Sequence, residues 1–548
     1  MRLGSFDKVL VFSFLIFVWS CEGMAQVVHR ERPEKWNELV LGGRFLDRFD
    51  KISPIGELVD SVWGAANVIP RYMENGIEDK EWSYWGGNIV YGKDQKYHLF
   101  ICRWPESSSK GHMEWPNSTV VHAVCDNSEG PFEVVEEIGK GHNPEIFQLQ
   151  DGRFIIYVID GYYISENLGG PWEYGQFEFD PRDRPIIEGL SNLSFARRED
   201  GSYLMVCRGG GIWLSKDGLS SYQQLTNERV YPPVDGRFED PVIWKDHIQY
   251  HMIVNDWLGR IAFYLRSKDG VHWKTDPGEA YQPGITVYKD GVEEDWFKYE
   301  RLKIFQDGLG RAVQANFAVI DTLKHEDKPG DNHSSKNIGI PLTVGRQIEL
   351  LNKKITENTR EILVIVKAEP GFDPKTDMDF SSLRFGASEV INFGGGSVLL
   401  DTKERGEDLI LIFEAEGHAF NEDNFAGKLL GKDAQGKLLF GYSRLPWVNY
   451  LEPMLSTTRP RQIDQENKWE IEVMNFGQVS SEKTSLKLEV KIKDEWQLFG
   501  DAQVRTLNPF EKETVIIMGN NGKSIKLGDT CRVVINNNTK SQELFVME

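Results

Sequence analysis

The sequence predicts an all-β protein: a five-bladed β-propeller followed by β-sandwich modules of immunoglobulin-like type. Two observations carry the prediction. A turn followed by an apolar strand recurs five times, as KDQKYHLFICRW (93 to 104), DGRFIIYVID (151 to 160), DGSYLMVCRG (200 to 209), KDHIQYHMIVND (245 to 256) and DGLGRAVQANFAVID (307 to 321). Beyond residue 340 the repeat stops, and strands that alternate apolar with polar residues take over.

The chain begins with a basic start at Arg2 and Lys8 and an apolar run too short to span a bilayer. Residues 1–21 therefore read as an export signal. Val18-Trp19-Ser20-Cys21 resembles a lipoprotein box, so Cys21 is the expected lipidation site, with cleavage after Ala25 as the alternative. The expected location is the periplasm or the outer membrane as a lipoprotein, with secretion as the alternative. Contact with a membrane is expected only through that lipid.

Residues 55–330 hold the repeats. Each copy follows another short strand, and in the first four a second turn ends in an aromatic, as in SENLGGPW and SKDGVHW. Gly and Asp supply the positive φ that tight turns need. Strand, turn, strand, turn at this period is the pattern of propeller blades, and no sustained 3.6-residue period competes with it. Residues 340–450 read as a first sandwich module. Residues 455–548 read as an immunoglobulin-like sandwich, with Leu486, Leu488, Val490 and Ile492 set against Lys487, Glu489 and Lys491.

Composition narrows the partners. A net charge of -21 repels nucleic acid and anionic membranes alike, so neither is an expected partner, and an anionic ligand requires a local cluster of cations. Aromatic residues make up 12% of the chain, which suits β-rich cores and sugar stacking equally. Four cysteines follow Cys21, without metal-type spacing, and read as thiols in or near strands.

In a propeller the innermost strand of each blade lines the axis, so the residues that open it converge on one mouth. Aligning the five inner strands predicts a ring of Gly87-Asn88, His142-Asn143, Ser191-Asn192, Glu239-Asp240 and Tyr299-Glu300, with Arg301 next. The ends of the second strands add Arg103 and Arg208, which suit a carboxylate or sulfate, or else ion pairs with the ring acids. Glu239, Asp240 and Glu300 are candidate acids and bases, His142 a candidate proton shuttle or a hydrogen-bonded core residue, and Trp85 a sugar platform or a packing residue. The insertion SSSKGHMEWPNS, with His112 and Trp115, is placed to roof the mouth. No cofactor is expected; the metal question is open, since His251 and the acids leave room for a divalent cation in the axial channel.

Over residues 55 to 330, with FEDPVIW (238 to 244) and YERLKIF (299 to 305), the chain resembles the five-bladed glycoside hydrolases of families 43 and 117. It looks most like exported propellers that marine Bacteroidetes use on acidic algal polysaccharides such as ulvan, a group that includes an oligosaccharide dehydratase. The resemblance implies three catalytic carboxylates on the first three inner strands. The matching positions here are Asn88 with Gly87, Asn143, and Ser191 with Asn192, none of which exchanges a proton near neutral pH. Elimination from a non-reducing-end uronic acid is therefore the expected chemistry, releasing water or a glycosidic oxygen to give an unsaturated uronate. Arg103, Arg208, Asn88, Asn143 and Asn192 would neutralise the carboxylate, while His142 and Tyr299 would move protons. The expected partner is an acidic oligosaccharide. An exo-acting glycoside hydrolase using Glu239, Asp240 and Glu300, and a non-catalytic glycan-binding lipoprotein, are the two alternatives. Oligomeric state is not legible.

Overall fold

The computed structural model describes residues 27–547 except 62, 189, 464–466, 520–523 and 537–541. Cys21 and the expected export signal lie outside the described residues.

The propeller has five blades, antiparallel throughout except for the outermost pair of blade three, where Phe179–Asp180 runs parallel to Tyr222–Gln224. Their first strands, Trp82–Tyr91, Glu145–Gln148, Ser194–Arg197, Phe238–Lys245 and Lys298–Gln306, each pair with a second strand: Tyr97–Pro105, Phe154–Val158, Tyr203–Val206, Tyr250–Asp256 and Ala312–Ile320. The first strands pack against one another around a common axis, and so are the inner strands. Blades one to four extend outward to four or five strands, and blade five stops at three. The ring closes without a shared strand. Ile77, just ahead of blade one, exchanges backbone hydrogen bonds of 3.0 and 3.2 Å with Asn337 on the outer strand Ser335–Pro341 of blade five. Gly76 is required at that seam, because a Cβ there would sit 1.9 Å from the Asn337 carbonyl oxygen. That outer strand carries the propeller past residue 330, to Pro341.

The second module differs from the expected sandwich. Seven strands from Arg346–Leu350 to Leu438–Arg444 close into a barrel around Ile362, Val364, Leu411, Phe413 and Leu429. Alternation along a strand reports one buried face, and a barrel wall satisfies that as well as a sandwich does. The last module is a two-sheet sandwich, one sheet centred on Lys468–Asn475 and the other on Thr484–Ile492, with Leu486, Leu488 and Val490 inside.

Both modules hold the propeller by the turns between first and second strands. Arg444 of the barrel pairs with Glu199 at 2.6 Å and donates to the Ile248 carbonyl, and Arg198 donates to the Phe476 carbonyl of the sandwich at 2.8 Å. These turns lie at the opposite end of the inner strands from the predicted mouth. The mouth is left uncovered by either module.

One layer in from the mouth, the inner strands are stapled to each other by side chains at equivalent positions. Asn88 accepts from the Ile146 N–H at 2.7 Å and donates to the Ile146 carbonyl at 3.0 Å, Glu145 accepts from the Phe195 N–H at 3.4 Å, and Ser194 accepts from the Ile243 N–H at 3.1 Å. Lys303 completes the layer with a buried ion pair to Glu145. Asn88 is thus a clamp between blades one and two, which corrects its assignment as a substrate-binding residue. Replacing it with Leu strands two buried backbone groups of Ile146, so we expect a loss of about 1–3 kcal/mol in urea-induced unfolding. An undiminished stability would mean that the clamp carries nothing.

Candidate active site

A left-handed residue opens the inner part of every blade. Gly86, Asn143, Asn192, Asp240 and Arg301 have φ of 61°, 53°, 50°, 54° and 52°. In blades one, four and five the ladder shifts register at this point, the signature of a β-bulge. The bulge sets the alignment. The ring is Gly86, Asn143, Asn192, Asp240, Arg301, preceded by Trp85, His142, Ser191, Glu239 and Glu300; relative to the sequence alignment, blade one is shifted by two residues and blade five by one. Gly87, with φ 108°, is a packing glycine, since a Cβ there would meet the Phe100 carbonyl oxygen at 2.3 Å.

Ring contacts run from neighbour to neighbour. The Asn192 Nδ2 donates to Glu239 and Asp240, both at 3.1 Å, and Asn143 Nδ2 donates to Asn192 Oδ1 at 3.2 Å. Arg301 pairs with Asp240 through its guanidinium, and its backbone N–H donates to the same carboxylate at 3.2 Å. Asp240 thereby holds Arg301 in a backbone conformation that a long side chain rarely adopts. The amide orientations follow from the acids. Carboxylates only accept, so Asn192 must turn its nitrogen to them and its oxygen to Asn143, which must answer with its own nitrogen. Asn143 Oδ1 is left buried and without a hydrogen-bond partner among the described residues. It faces the gap left by Gly86, where a Cβ would lie 3.3 Å from that oxygen and 3.7 Å from Arg301. That gap is lined by the Asn143 oxygen and the aliphatic stem of Arg301.

His142 is fixed in one tautomer by the same logic. The Ser118 hydroxyl donates to the Gly141 carbonyl at 2.8 Å, so its only proton is used. The 3.0 Å contact between Ser118 Oγ and His142 Nδ1 then requires Nδ1–H as donor. Nε2 is left with a lone pair and no hydrogen-bond partner among the described residues. Burial, then Arg301, Lys324 and His112, hold this imidazole well below the usual histidine range, so it is neutral at pH 7.

Charges at the mouth are layered. Burial, reinforced by Glu239 and Glu300 and opposed by Arg301, pushes the Asp240 carboxyl up to about 6. Glu300 goes the other way: burial would raise it, but Lys324 and Lys298 hold it down to about 2. The side chains of Asp240 and Glu300 are 1% exposed and that of Glu239 14%. The cations Arg208, 3.6 Å from Glu239, and Lys324, paired with Glu300, are 39% and 25% exposed. The surface offered to a ligand is accordingly cationic, against a chain of net charge -21.

The remaining candidates are placed as follows. Tyr299 is turned away from the axis: its hydroxyl meets Thr286 Oγ1 at 2.7 Å and its ring packs edge-on against Phe317, so it is a core residue and no proton donor at the mouth. Alternation along the strand puts Tyr299 and Glu300 on opposite faces, and the one-residue slip had merged them. Arg103 leaves the ring too; it lies over the Trp82 ring at 3.9 Å and pairs with Glu137, lining an outer cleft of blade one. Trp85 stands at the mouth but is 1% exposed, covered by the His112 ring at 4.5 Å and by Lys324, and offers no free face to a sugar. The insertion forms a 3-10 turn, Gly111–Asn117, whose Trp115 lies 4.8 Å from the His142 ring.

A divalent cation does not fit the mouth. Each acid there already faces an arginine or lysine, and among the described residues no group of three or more His, Cys, Asp or Glu could hold a metal ion. His251 lies at the far end of blade four, between Tyr264 at 2.6 Å and Asp246 at 2.9 Å.

Sequence reasoning missed Ser118, Lys324 and Tyr281, and in blade one it set the ring at Gly87-Asn88 where the structure has Gly86. Tyr281 is buried, with its hydroxyl unpartnered among the described residues, in a cleft shared with Asn255, Lys298 and Glu300. Two adjoining glycines hide which of them is the ring residue in blade one; Ser118, Lys324 and Tyr281 lie in loops or at strand edges without a pattern.

Comparison with known proteins adds little beyond this. No family model matches the chain, and no curated protein does. Among solved structures, the chain is similar at 10% identity and TM-score 0.37 to one described as a glycoside hydrolase, covering 82% of this chain and 97% of that one. It is similar at 10% identity and TM-score 0.33 to the GH43 BlXynB protein from Bacillus licheniformis, covering 87% and 90%. An engineered GH43 glycoside hydrolase with endo-xylanase and exo-arabinofuranosidase activity follows at 9% and 0.30, covering 85% and 98%. Superpositions this loose decide nothing about activity.

Proposed function

We propose that the protein is a carbohydrate-active enzyme whose axial mouth takes the uronate end of an acidic oligosaccharide and eliminates water or a glycosidic oxygen from it. The observation that carries this reading is the pairing of a neutral His142, presenting its Nε2 lone pair, with a rim whose exposed charges are Arg208 and Lys324. In this reading the two cations and Arg301 face the substrate carboxylate and stabilise the negative charge that builds when the C5 proton leaves. His142 Nε2 accepts that proton. Asp240, with its carboxyl near 6, is the group that returns a proton to the departing oxygen. Asn143 Oδ1 takes a substrate hydroxyl in the gap at Gly86.

Hydrolysis by paired carboxylates keeps one specific support, the adjacent Glu239 and Asp240 at the mouth. It is opposed by Glu300, held ionised by two lysines, and by the lack of any acid on the first three ring positions. The two readings part on product. Uronate-ended oligosaccharides should develop the ultraviolet band of an unsaturated uronate with wild-type protein, and a new reducing end without that band would support hydrolysis instead.

A further inference from the structure

We propose that a second site, at the opposite end of the propeller from the mouth, binds a small oxyanion: a sulfate or carboxylate group. The site is a small cleft of about 40 Å³ where the turns of blades four and five meet the barrel, lined among others by Arg48, His247, Arg311, Thr343 and Arg346. It does not depend on the elimination reading.

Arg311 is fully engaged, by Asp307 at 2.7 Å and Glu369 at 2.6 Å. The one acid that lines the cleft, Asp246, is engaged too: it takes His251 Nε2 at 2.9 Å and the N–H groups of Ile248 and Gln249 at 2.8 Å. Arg48 and Arg346 have no acidic partner among the described residues. Arg48 is 7% exposed and boxed by the rings of Phe45, Tyr264 and Phe440, with Tyr442 Oη as its hydrogen-bond acceptor at 3.3 Å. Arg346 lies over the Phe372 ring at 3.9 Å. Stacking holds each guanidinium plane but leaves N–H donors in that plane unspent. Two guanidinium groups and Thr343 lining one cleft make a donor set suited to the fork geometry of an oxyanion. A buried Arg48 and a half-buried Arg346, both without a counter-charge among the described residues of so acidic a chain, leave that role open to a ligand.

The test is thermal unfolding of the full chain in sodium sulfate against sodium chloride at matched ionic strength, with Arg346→Gln and Arg48→Lys variants. We expect a saturable rise in melting temperature with sulfate, and an apparent affinity about tenfold weaker in Arg346→Gln, the loss of one charge-assisted contact. Arg48→Lys keeps the charge but not the fork, and is expected to weaken it likewise. His142→Gln should keep the effect, which separates this site from the mouth. Repeating the titration with a sulfated oligosaccharide and with an unsulfated uronate oligosaccharide distinguishes free sulfate from a glycan-borne group. A rise that never saturates, as general exclusion of sulfate from protein surface gives, would overturn the proposal. So would equal affinity in wild type and Arg346→Gln, or loss of the effect in Arg208→Gln.

Discussion

His142→Gln is expected to lower turnover of a uronate-ended oligosaccharide by about 10²–10⁴-fold while the melting temperature and substrate binding stay near wild type. The imidazole is positioned by a short chain: the Gly141 carbonyl fixes the Ser118 proton, and Ser118 fixes the Nδ1–H of His142. Glutamine retains a donor for Ser118 but has no basic lone pair to offer in place of Nε2. The pH profile separates this role from mere packing. In the free enzyme burial and the flanking cations hold His142 well below 6.5, so the acid limb of kcat/KM should fall at low pH. A bound carboxylate screens Arg301 and Lys324, so the acid limb of kcat should lie at higher pH than that of kcat/KM. A histidine of structural value alone would leave the two limbs coincident and would lower activity only in step with stability.

Lys303→Met is expected to be the most damaging single change to the fold, at about 3–5 kcal/mol. Its ammonium sits on the propeller axis against Glu145, and both residues are more than nine-tenths buried. Glu145 meanwhile serves as the blade two staple, accepting from the Phe195 N–H and the Ser194 hydroxyl. Burial already raises the Glu145 carboxyl against the pull of Lys303, and removing the lysine leaves a lone acid in the core. The double variant Lys303→Met, Glu145→Gln removes both charges yet keeps the amide oxygen for Phe195, so it should recover most of the loss. Denaturant unfolding of the two variants measures this, and a single variant as stable as wild type would show that the axial pair contributes nothing.

The blades were legible because each rests on local chemistry: Asp-Gly turns and apolar second strands that need no tertiary information. The register of the ring was only partly so. Asn143, Asn192 and Asp240 advertise a left-handed position, being the residue types that tolerate it best. Blade one offers two adjacent glycines, and blade five hides the position under Arg301, a residue held there by contacts with Asp240 from another blade. Hence the slip, and with it the misplacement of Asn88 and Tyr299. Arg103 and Arg208 look alike in sequence, at the ends of second strands; only packing shows that Arg103 spends its charge on Trp82 and Glu137 while Arg208 faces Glu239. Closure of residues 346–444 into a barrel is likewise a tertiary fact, because the same alternation serves an open sheet. Lys324 and Ser118 reach the mouth from irregular segments, where no periodicity points inward.

Elimination and hydrolysis differ most directly in the fate of solvent oxygen. Wild-type protein incubated with a uronate-ended oligosaccharide in heavy-oxygen water should yield products that carry an unsaturated uronate and no solvent oxygen, either one species lighter by a water or two fragments summing to the substrate mass. Products that together gain one water, with the heavy oxygen at a new reducing end, would contradict it and assign the mouth to hydrolysis.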